Sequence, residues 1–121
     1  MAYTTIDDPS EYFQTKIYTG NATDDTAYTN DGNSNLQPDL IWAKNRDQAV
    51  DNVWFDSTRG VTKNVRSNIT SQESTNSNYL KSFDSNGFTM GTSNRVNGNT
   101  DEMVAWQWKA NGGTTSTNTA G

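Results

Sequence analysis

The 121-residue sequence predicts an all-β fold, an antiparallel sandwich or barrel. Short segments with the two-residue alternation of strands recur along the chain, and turns rich in Asn, Asp, Ser and Gly separate them. Apolar stripes with the 3.6-residue period of an amphipathic helix are missing. Because no helical crossover of adequate length is visible, a parallel α/β arrangement is disfavoured.

Seven segments have the composition and alternation of strands. In chain order they cover residues 12–19, 39–44, 53–56, 61–66, 79–83, 88–91 and 103–109. In the first of them, Phe13, Thr15 and Ile17 share one face. The polar residues 20–37 follow as a long loop, with a short strand at 27–29 as an option.

Two tryptophan-bearing apolar segments, LIWA and NVWF, define the second and third strands. Pro38 precedes the first of them, and the residues Asn45-Arg46-Asp47 between them are typical of a turn. Since several consecutive residues are apolar, we expect Trp42 and Trp54 to lie in the core. After a turn at 57–60, residues 61–66 alternate as a half-exposed edge strand.

The Asn-Gly step within residues 84–87 is the strongest hairpin signal, and it predicts that segments 79–83 and 88–91 pair. The polar stretch 67–78 before it is a second loop, where a single helical turn is a weakly supported option. A polar turn at 94–100 leads to the last strand. There Trp106 and Trp108 share a face with Val104, and we expect both indoles to be buried together or against another subunit.

The chain is predicted to form one domain with polar ends. Residues 1–11 are an N-terminal arm, residues 12–110 the β-sandwich domain, and residues 111–121 a Gly/Thr/Ser-rich linker that we expect to continue into a longer chain.

Composition allows only a thin core. Hydrophobic residues make up 31% of the chain and the mean hydropathy is −0.93, which would suggest disorder if 11% of the residues were not aromatic. Most of the stability must then come from the burial of aromatic side chains and from backbone hydrogen bonds between strands. A chain so poor in aliphatic residues is marginal alone, so we expect a homo-oligomer or support from a partner chain.

Several function classes are disfavoured by composition. The 14 acidic against 9 basic residues argue against nucleic-acid binding, and no apolar run approaches the length of a membrane helix. The chain has no cysteine and no histidine, which removes thiolate chemistry, the usual general base and the commonest zinc ligand. We therefore expect neither an enzyme nor a cofactor.

The acidic residues are predicted to be solvated loop charges. Neighbouring acids on a strand point to opposite faces and cannot act as paired catalytic carboxylates. Asp24, Asp25 and the Asn30-Asp31-Gly32 step offer oxygen ligands for calcium, but they lack the spacing of an EF-hand loop, so we predict no metal site. Asp56 and Arg59 are predicted to form a local salt bridge or turn.

Aromatic residues supply the only candidate contact site for a partner or a glycan. Four tyrosines are the better candidates for exposed rings and two tryptophans for a shared contact face, although packing is the favoured role for each. The candidate residues are Tyr12, Tyr18, Tyr28, Tyr79, Trp106 and Trp108.

The segments QPDLIWAKNR, VWFDSTRGVTK, FDSNGFTMG and VAWQWKA together resemble a domain of virion structural proteins from tailed bacteriophages, of the marine and cyanophage type. The resemblance covers roughly residues 12–113, and the N-terminal segment is similar to the start of multi-repeat fibre or decoration proteins. It implies a jelly-roll or lectin-like β-sandwich located in the virion, with capsid, neck or tail proteins as partners. It transfers no catalytic residue. The chain departs from the family at residues 24–35, which are rich in Asp and Asn, so a ligand contact by that loop is in doubt.

The sequence therefore predicts a non-enzymatic virion module that anchors a fibre or decorates the head or tail. The alternative is a carbohydrate-binding or adhesion module for host surface glycans, which needs an exposed aromatic platform beside polar loops such as 20–37 and 67–78. A depolymerase ranks third, because it needs two carboxylates that converge from different loops.

Overall fold

The computed structural model describes residues 7–110, 117 and 119–120. The predicted arm is therefore described only from Asp7. The predicted linker at 111–121 lies outside the described residues apart from positions 117, 119 and 120. In the described part, no helix is long and apolar enough to cross a membrane.

Strands dominate the described residues, which also contain one short 3-10 helix, Pro9–Glu11, and one α-helix, α1 (Asn94–Asn97). The strands are β1 (Phe13–Thr19), β2 (Thr26–Thr29), β3 (Leu40–Asn45), β4 (Val53–Asp56), β5 (Lys63–Asn64), β6 (Ser74–Thr75), β7 (Leu80–Asp84), β8 (Gly87–Met90) and β9 (Glu102–Trp108).

All strand pairs are antiparallel, and they form two main sheets. One has four strands in the order β1-β9-β3-β4, the other three in the order β2-β8-β7, and β5-β6 is a small two-stranded addition. Side chains from both main sheets form one hydrophobic cluster. The predicted antiparallel β-sandwich is confirmed, while its jelly-roll or lectin-like type stays a prediction.

The core lies between the two main sheets, and its members are fully or almost fully buried. They are Tyr18, Ile41, Ala43, Val53, Phe55, Tyr79, Leu80, Phe88, Met90, Val96, Met103 and Ala105. Phe55 and Phe88 are its largest fully buried side chains. No tryptophan belongs to this cluster.

The prediction that Trp42 and Trp54 lie in the core is wrong. On β3, Ile41 and Ala43 are fully buried, so Trp42 between them points to the other face of the sheet. Trp54 lies directly opposite Trp42 on β4 and shares that face. Consecutive apolar residues on a strand fill both faces, and only one face of this sheet meets the core.

The predicted hairpin and the optional strand in the long loop are confirmed. β7 and β8 pair from Leu80 to Asp84, with Ser85 and Asn86 in the turn and Gly87 already in β8 at φ 132°. β2 lies at Thr26–Thr29, where the short strand was an option.

Three polar stretches differ from their predictions. The predicted strand 61–66 shrinks to the two residues of β5 and one bridge between Trp54 and Val65. The loop 67–78 contains β6 and no helical turn. The predicted turn 94–100 begins with α1, where Ser93 caps the helix by accepting a hydrogen bond from the Arg95 N–H.

Candidate functional site: the outer tryptophan face

The four-stranded sheet carries a second apolar surface on the side away from the core. Strand register places Thr15, Trp106, Trp42 and Trp54 side by side in one row across β1, β9, β3 and β4. Val65 extends this row through its bridge to Trp54. We call this surface the tryptophan face, and its apolar side chains are Phe13, Ile17, Leu40, Trp42, Trp54, Val65, Val104, Trp106 and Trp108.

The border of the tryptophan face is open to solvent. Phe13, Ile17 and Val65 have 40%, 51% and 36% of their surface exposed, and the four tryptophans are half-buried. Single exposed apolar residues are ordinary, but contiguous apolar patches on a protein surface usually mark an interaction site.

The indole rings contact one another in a continuous chain. Trp42 stacks on Trp54 with ring centroids 4.7 Å apart, and its centroid lies 4.5 Å from that of Trp106. Trp54 is also parallel to Trp108, with centroids 6.3 Å apart, and Phe13 lies 5.2 Å from Trp108. Trp42 and Trp54 therefore each meet two other indoles, so much of their ring-face area is already covered.

The two central indoles differ in their hydrogen bonds. The Trp54 Nε1–H donates to Asn52 Oδ1 at 3.2 Å and to Ser67 Oγ at 3.1 Å. Trp42 Nε1 is buried and has no hydrogen-bond partner among the described residues. A buried donor without a partner carries a desolvation penalty, roughly 1–3 kcal/mol. The ring stack must offset that penalty.

Ion pairs hold the loops that border the β4 side of the tryptophan face. Asp51 pairs with Arg66 at 3.0 Å and with Arg95 at 3.3 Å. The hydrogen bond from Asn68, together with these two arginines, lowers the pKa of Asp51. The network keeps the segment after β5 beside Trp54, whose indole N–H bonds to Ser67.

The predicted local salt bridge between Asp56 and Arg59 is confirmed, and Arg59 Nη1 also bonds to Glu73 Oε2 at 3.1 Å. These contacts tie the turn after β4 to the loop before β6. They give the arginine a structural role.

The prediction of exposed rings is wrong for two of the four tyrosines. Tyr18 and Tyr79 each have only 6% of their surface exposed and belong to the core. The Tyr18 hydroxyl donates to the Val96 carbonyl at 2.6 Å, and burial raises the pKa of its phenol. Tyr18 points from β1 into the core, and Tyr79, just before β7, packs against Phe55, so neither can reach a partner on the surface.

The other two tyrosines occupy separate places. Tyr12 is 41% exposed, with Lys109 Nζ 5.6 Å from its ring centroid. Tyr28 is half-buried and donates its hydroxyl to Asn97 Oδ1 at 2.6 Å. Trp106 and Trp108 share one face of β9, as the alternation predicted, and this face is the outer one. The structure brings only these two of the six candidate residues together on one surface.

Trp42 and Trp54 are the outer-face residues that the sequence prediction missed. The pairing of β3 with β9 places Trp42 opposite Trp106, so both indoles lie on the same face. This register could not be read from the sequence alone.

The acidic loop residues do not converge. Asp24 pairs with Lys81 at 2.9 Å and Asp31 pairs with Lys16 at 3.0 Å. Within the described part of the chain, no three acidic side chains form a group that could hold a metal ion, and no pocket opens at the surface.

Comparison with known proteins gives one match. A family model described as "Domain of unknown function (DUF7483)" matches residues 8–121. No curated protein and no solved structure matches the chain.

Proposed function

Because the chain belongs to the DUF7483 family, whose description assigns no activity, we propose its function from the tryptophan face: a non-enzymatic structural module of a tailed-bacteriophage virion. In this proposal the module anchors a fibre or decorates the head or tail. The tryptophan face is the surface by which it attaches to another virion protein. The single observation that carries the proposal is the contiguous cluster of four indoles on the solvent side of the sheet.

The composition of the face supports a protein contact. Aromatic side chains with aliphatic neighbours are typical of the centre of protein interfaces, where they are buried against a complementary surface. Trp42 and Trp54 are already fixed by stacking, so little side-chain freedom is lost on binding. Phe13, Ile17 and Val65 extend the apolar area around them.

The phage assignment rests on the resemblance of the sequence segments to virion proteins, and the geometry is compatible with it. A two-layer sandwich with a thin core and one solvent-facing apolar sheet suits a module that gains stability on assembly.

Glycan binding is the second candidate, because exposed aromatic rings beside polar side chains can hold a sugar. The ring geometry favours it less. Sugars stack on a free ring face, whereas Trp42 and Trp54 have theirs turned toward other indoles. Trp106 and Trp108, at the ends of the stack, are the rings best placed to meet a sugar.

The test compares the isolated chain with purified particles of the phage that encodes it. Cryo-electron microscopy should locate the chain at repeated sites, with its tryptophan face against another virion protein. Hydroxyl-radical oxidation of the four tryptophans should fall on assembly, while oxidation of the exposed Tyr12 serves as the reference. Absence of the chain from the particles would overturn the proposal. If the chain is present, but its tryptophans stay reactive and are protected only by a glycan, the second candidate holds.

A further inference from the structure

We propose that β1 is a separate self-association edge, at which two copies of this chain pair strand to strand and form one continuous sheet. The inference goes beyond the proposed function, because it concerns the backbone edge of β1, beside the tryptophan face, and it stands whether or not the indoles bind a virion protein.

The outer edge of β1 is free of backbone partners among the described residues. β1 ends the sheet order and pairs only with β9. The Lys109 N–H donates to the Tyr12 carbonyl and the Gly20 N–H donates to the Asp101 carbonyl, which assigns the even-numbered residues to the β9 side. The N–H and C=O groups of the odd-numbered residues, Phe13 to Thr19, therefore point away from the sheet.

This edge lacks most of the features that usually prevent pairing. Natural edge strands are kept short or carry proline, a bulge or charged side chains, especially lysine. β1 has seven residues, no proline and an unbroken register with β9. Its only charged residue is Lys16, whose Nζ is bound to Asp31 at 3.0 Å. Phe13, Thr15 and Ile17 are all exposed.

The other edges of the two main sheets are less suited to pairing. β2 has four residues, and β7 carries a bulge between Leu80 and Ser82. The outer edge of β4 is occupied at Trp54 by the bridge to Val65. Free length and regular geometry occur together only at β1 within the described part.

The sequence of β1 is complementary to itself in one antiparallel register. With Thr15 opposite Thr15 of the second copy, Phe13 lies opposite Ile17 and Lys16 lies opposite Gln14. The opposed odd-numbered residues can then exchange both of their N–H···O hydrogen bonds. Thr–Thr and aromatic–β-branched pairs stabilise neighbouring strands.

The neighbouring registers are worse. A two-residue shift in one direction places Lys16 opposite Lys16, and like charges directly opposite are unfavourable. The shift in the other direction leaves Ile17 and Thr19 without an opposing strand residue, because β1 begins at Phe13. The preferred register has a two-fold axis perpendicular to the sheet, so the tryptophan faces of both copies lie on the same side.

The test introduces a charged side chain at Thr15, which lies on the proposed two-fold axis of the dimer. Thr15→Lys and Thr15→Glu each place like charges opposite one another, and each should weaken dimer formation at least tenfold in sedimentation equilibrium. An equimolar mixture of the two variants should restore the dimer as a heterodimer. Thr15 is exposed, so circular dichroism should show a native fold for both variants. The matched control is Thr29→Lys, at an exposed threonine in β2, which should remain dimeric.

Hydrogen exchange tests the same edge without any substitution. The amides of Phe13, Thr15 and Ile17 should become protected as the concentration of the native chain rises. Those of Gln14, Lys16 and Tyr18 should be protected at every concentration by β9. A native chain that stays monomeric at millimolar concentration overturns the proposal. So does a dimer that survives Thr15→Lys, or one that Thr29→Lys dissociates. If the odd-numbered amides are protected equally at every concentration, a segment of the same chain covers the β1 edge. That result would also overturn the proposal.

Discussion

Gln107 is buried on the core side of β9, at a position where an apolar residue would be expected. Its Nε2 donates to Asn30 Oδ1 at 2.7 Å, and Asn30 Nδ2 donates back to Gln107 Oε1 at 3.0 Å. Each amide thus satisfies the other inside the sandwich, which removes the penalty of burying an unpaired polar group. The alternation of β9 predicts that Gln107 shares a face with Met103 and Ala105, but not that this face points inward. Its partner could not be predicted, because Asn30 lies 77 residues away in a polar loop.

Tyr18 makes stability depend on pH in the alkaline range. Burial raises the pKa of its phenol above the ordinary value of about 10. The folded chain therefore keeps a proton that the unfolded chain loses, so the free energy of unfolding should fall as the pH rises above about 10. Below that pH both states hold the proton, and this contribution is fully present.

Urea denaturation between pH 8 and pH 12 measures this effect. Tyr18→Phe should be less stable than the native chain at pH 8, because it loses the hydrogen bond to the Val96 carbonyl. Its stability should then fall less steeply above pH 10. Tyr12→Phe, which changes an exposed ring, is the control and should keep the native slope. Equal slopes for native and Tyr18→Phe would contradict the assignment.

At the scale of elements, strands were predictable where alternation and turn residues agreed. The β4 segment is predicted with its observed bounds, and the β7–β8 hairpin follows from its Asn-Gly step. The segment 61–66 alternates equally well, but its pairing is divided, since Lys63 and Asn64 pair with β6 and only Val65 bridges to β4. Alternation predicts which residues could form a strand, whereas pairing requires a neighbour that the local sequence does not contain.

Gly87 is the residue on which the hairpin depends most. It has φ 132°, and a Cβ atom there would lie 2.1 Å from the Tyr28 carbonyl oxygen on β2. Gly87→Ala should therefore disturb the pairing of β8 with β2 as well as the turn. Gly60 has φ 91° but open space around its Cβ position, so Gly60→Ala should cost only the backbone strain, about 1–2 kcal/mol.

Chemical denaturation can compare the two alanine variants. Gly60→Ala introduces backbone strain alone, whereas Gly87→Ala adds a steric clash with the Tyr28 carbonyl. Gly87→Ala should lose clearly more stability than Gly60→Ala, and exchange of the β2 and β8 amides should accelerate in that variant alone. If both variants lost the same amount of stability, the close approach of Gly87 to Tyr28 would contribute nothing to the free energy of unfolding.

At the scale of the whole molecule, the four-stranded sheet has two apolar faces and the second sheet covers only one. Ile41 and Trp42 are adjacent on β3 and both apolar, so composition alone does not tell which of the two side chains points inward. The three-stranded sheet decides this by supplying Leu80, Phe88 and Met90 against the Ile41 side. The fold class could therefore be predicted from local signals. The candidate site could not, because it is the face left over after the two sheets pack.

The two faces should respond differently to the same substitution. Ile41 is fully buried, whereas Ile17 is 51% exposed beside the tryptophans. Ile41→Ala should lower the free energy of unfolding by about 2–5 kcal/mol, because it leaves a cavity between the sheets. Ile17→Ala, measured at low micromolar concentration to exclude self-association, should stay within about 0.5 kcal/mol of the native chain. When equal amounts of folded protein are compared, Ile17→Ala should reduce incorporation into particles more than Ile41→Ala. Ile17 lies on the surfaces that we propose to contact partners. If Ile17→Ala destabilised the isolated chain as much as Ile41→Ala, the outer face would be part of the folding core and its availability for assembly would be refuted.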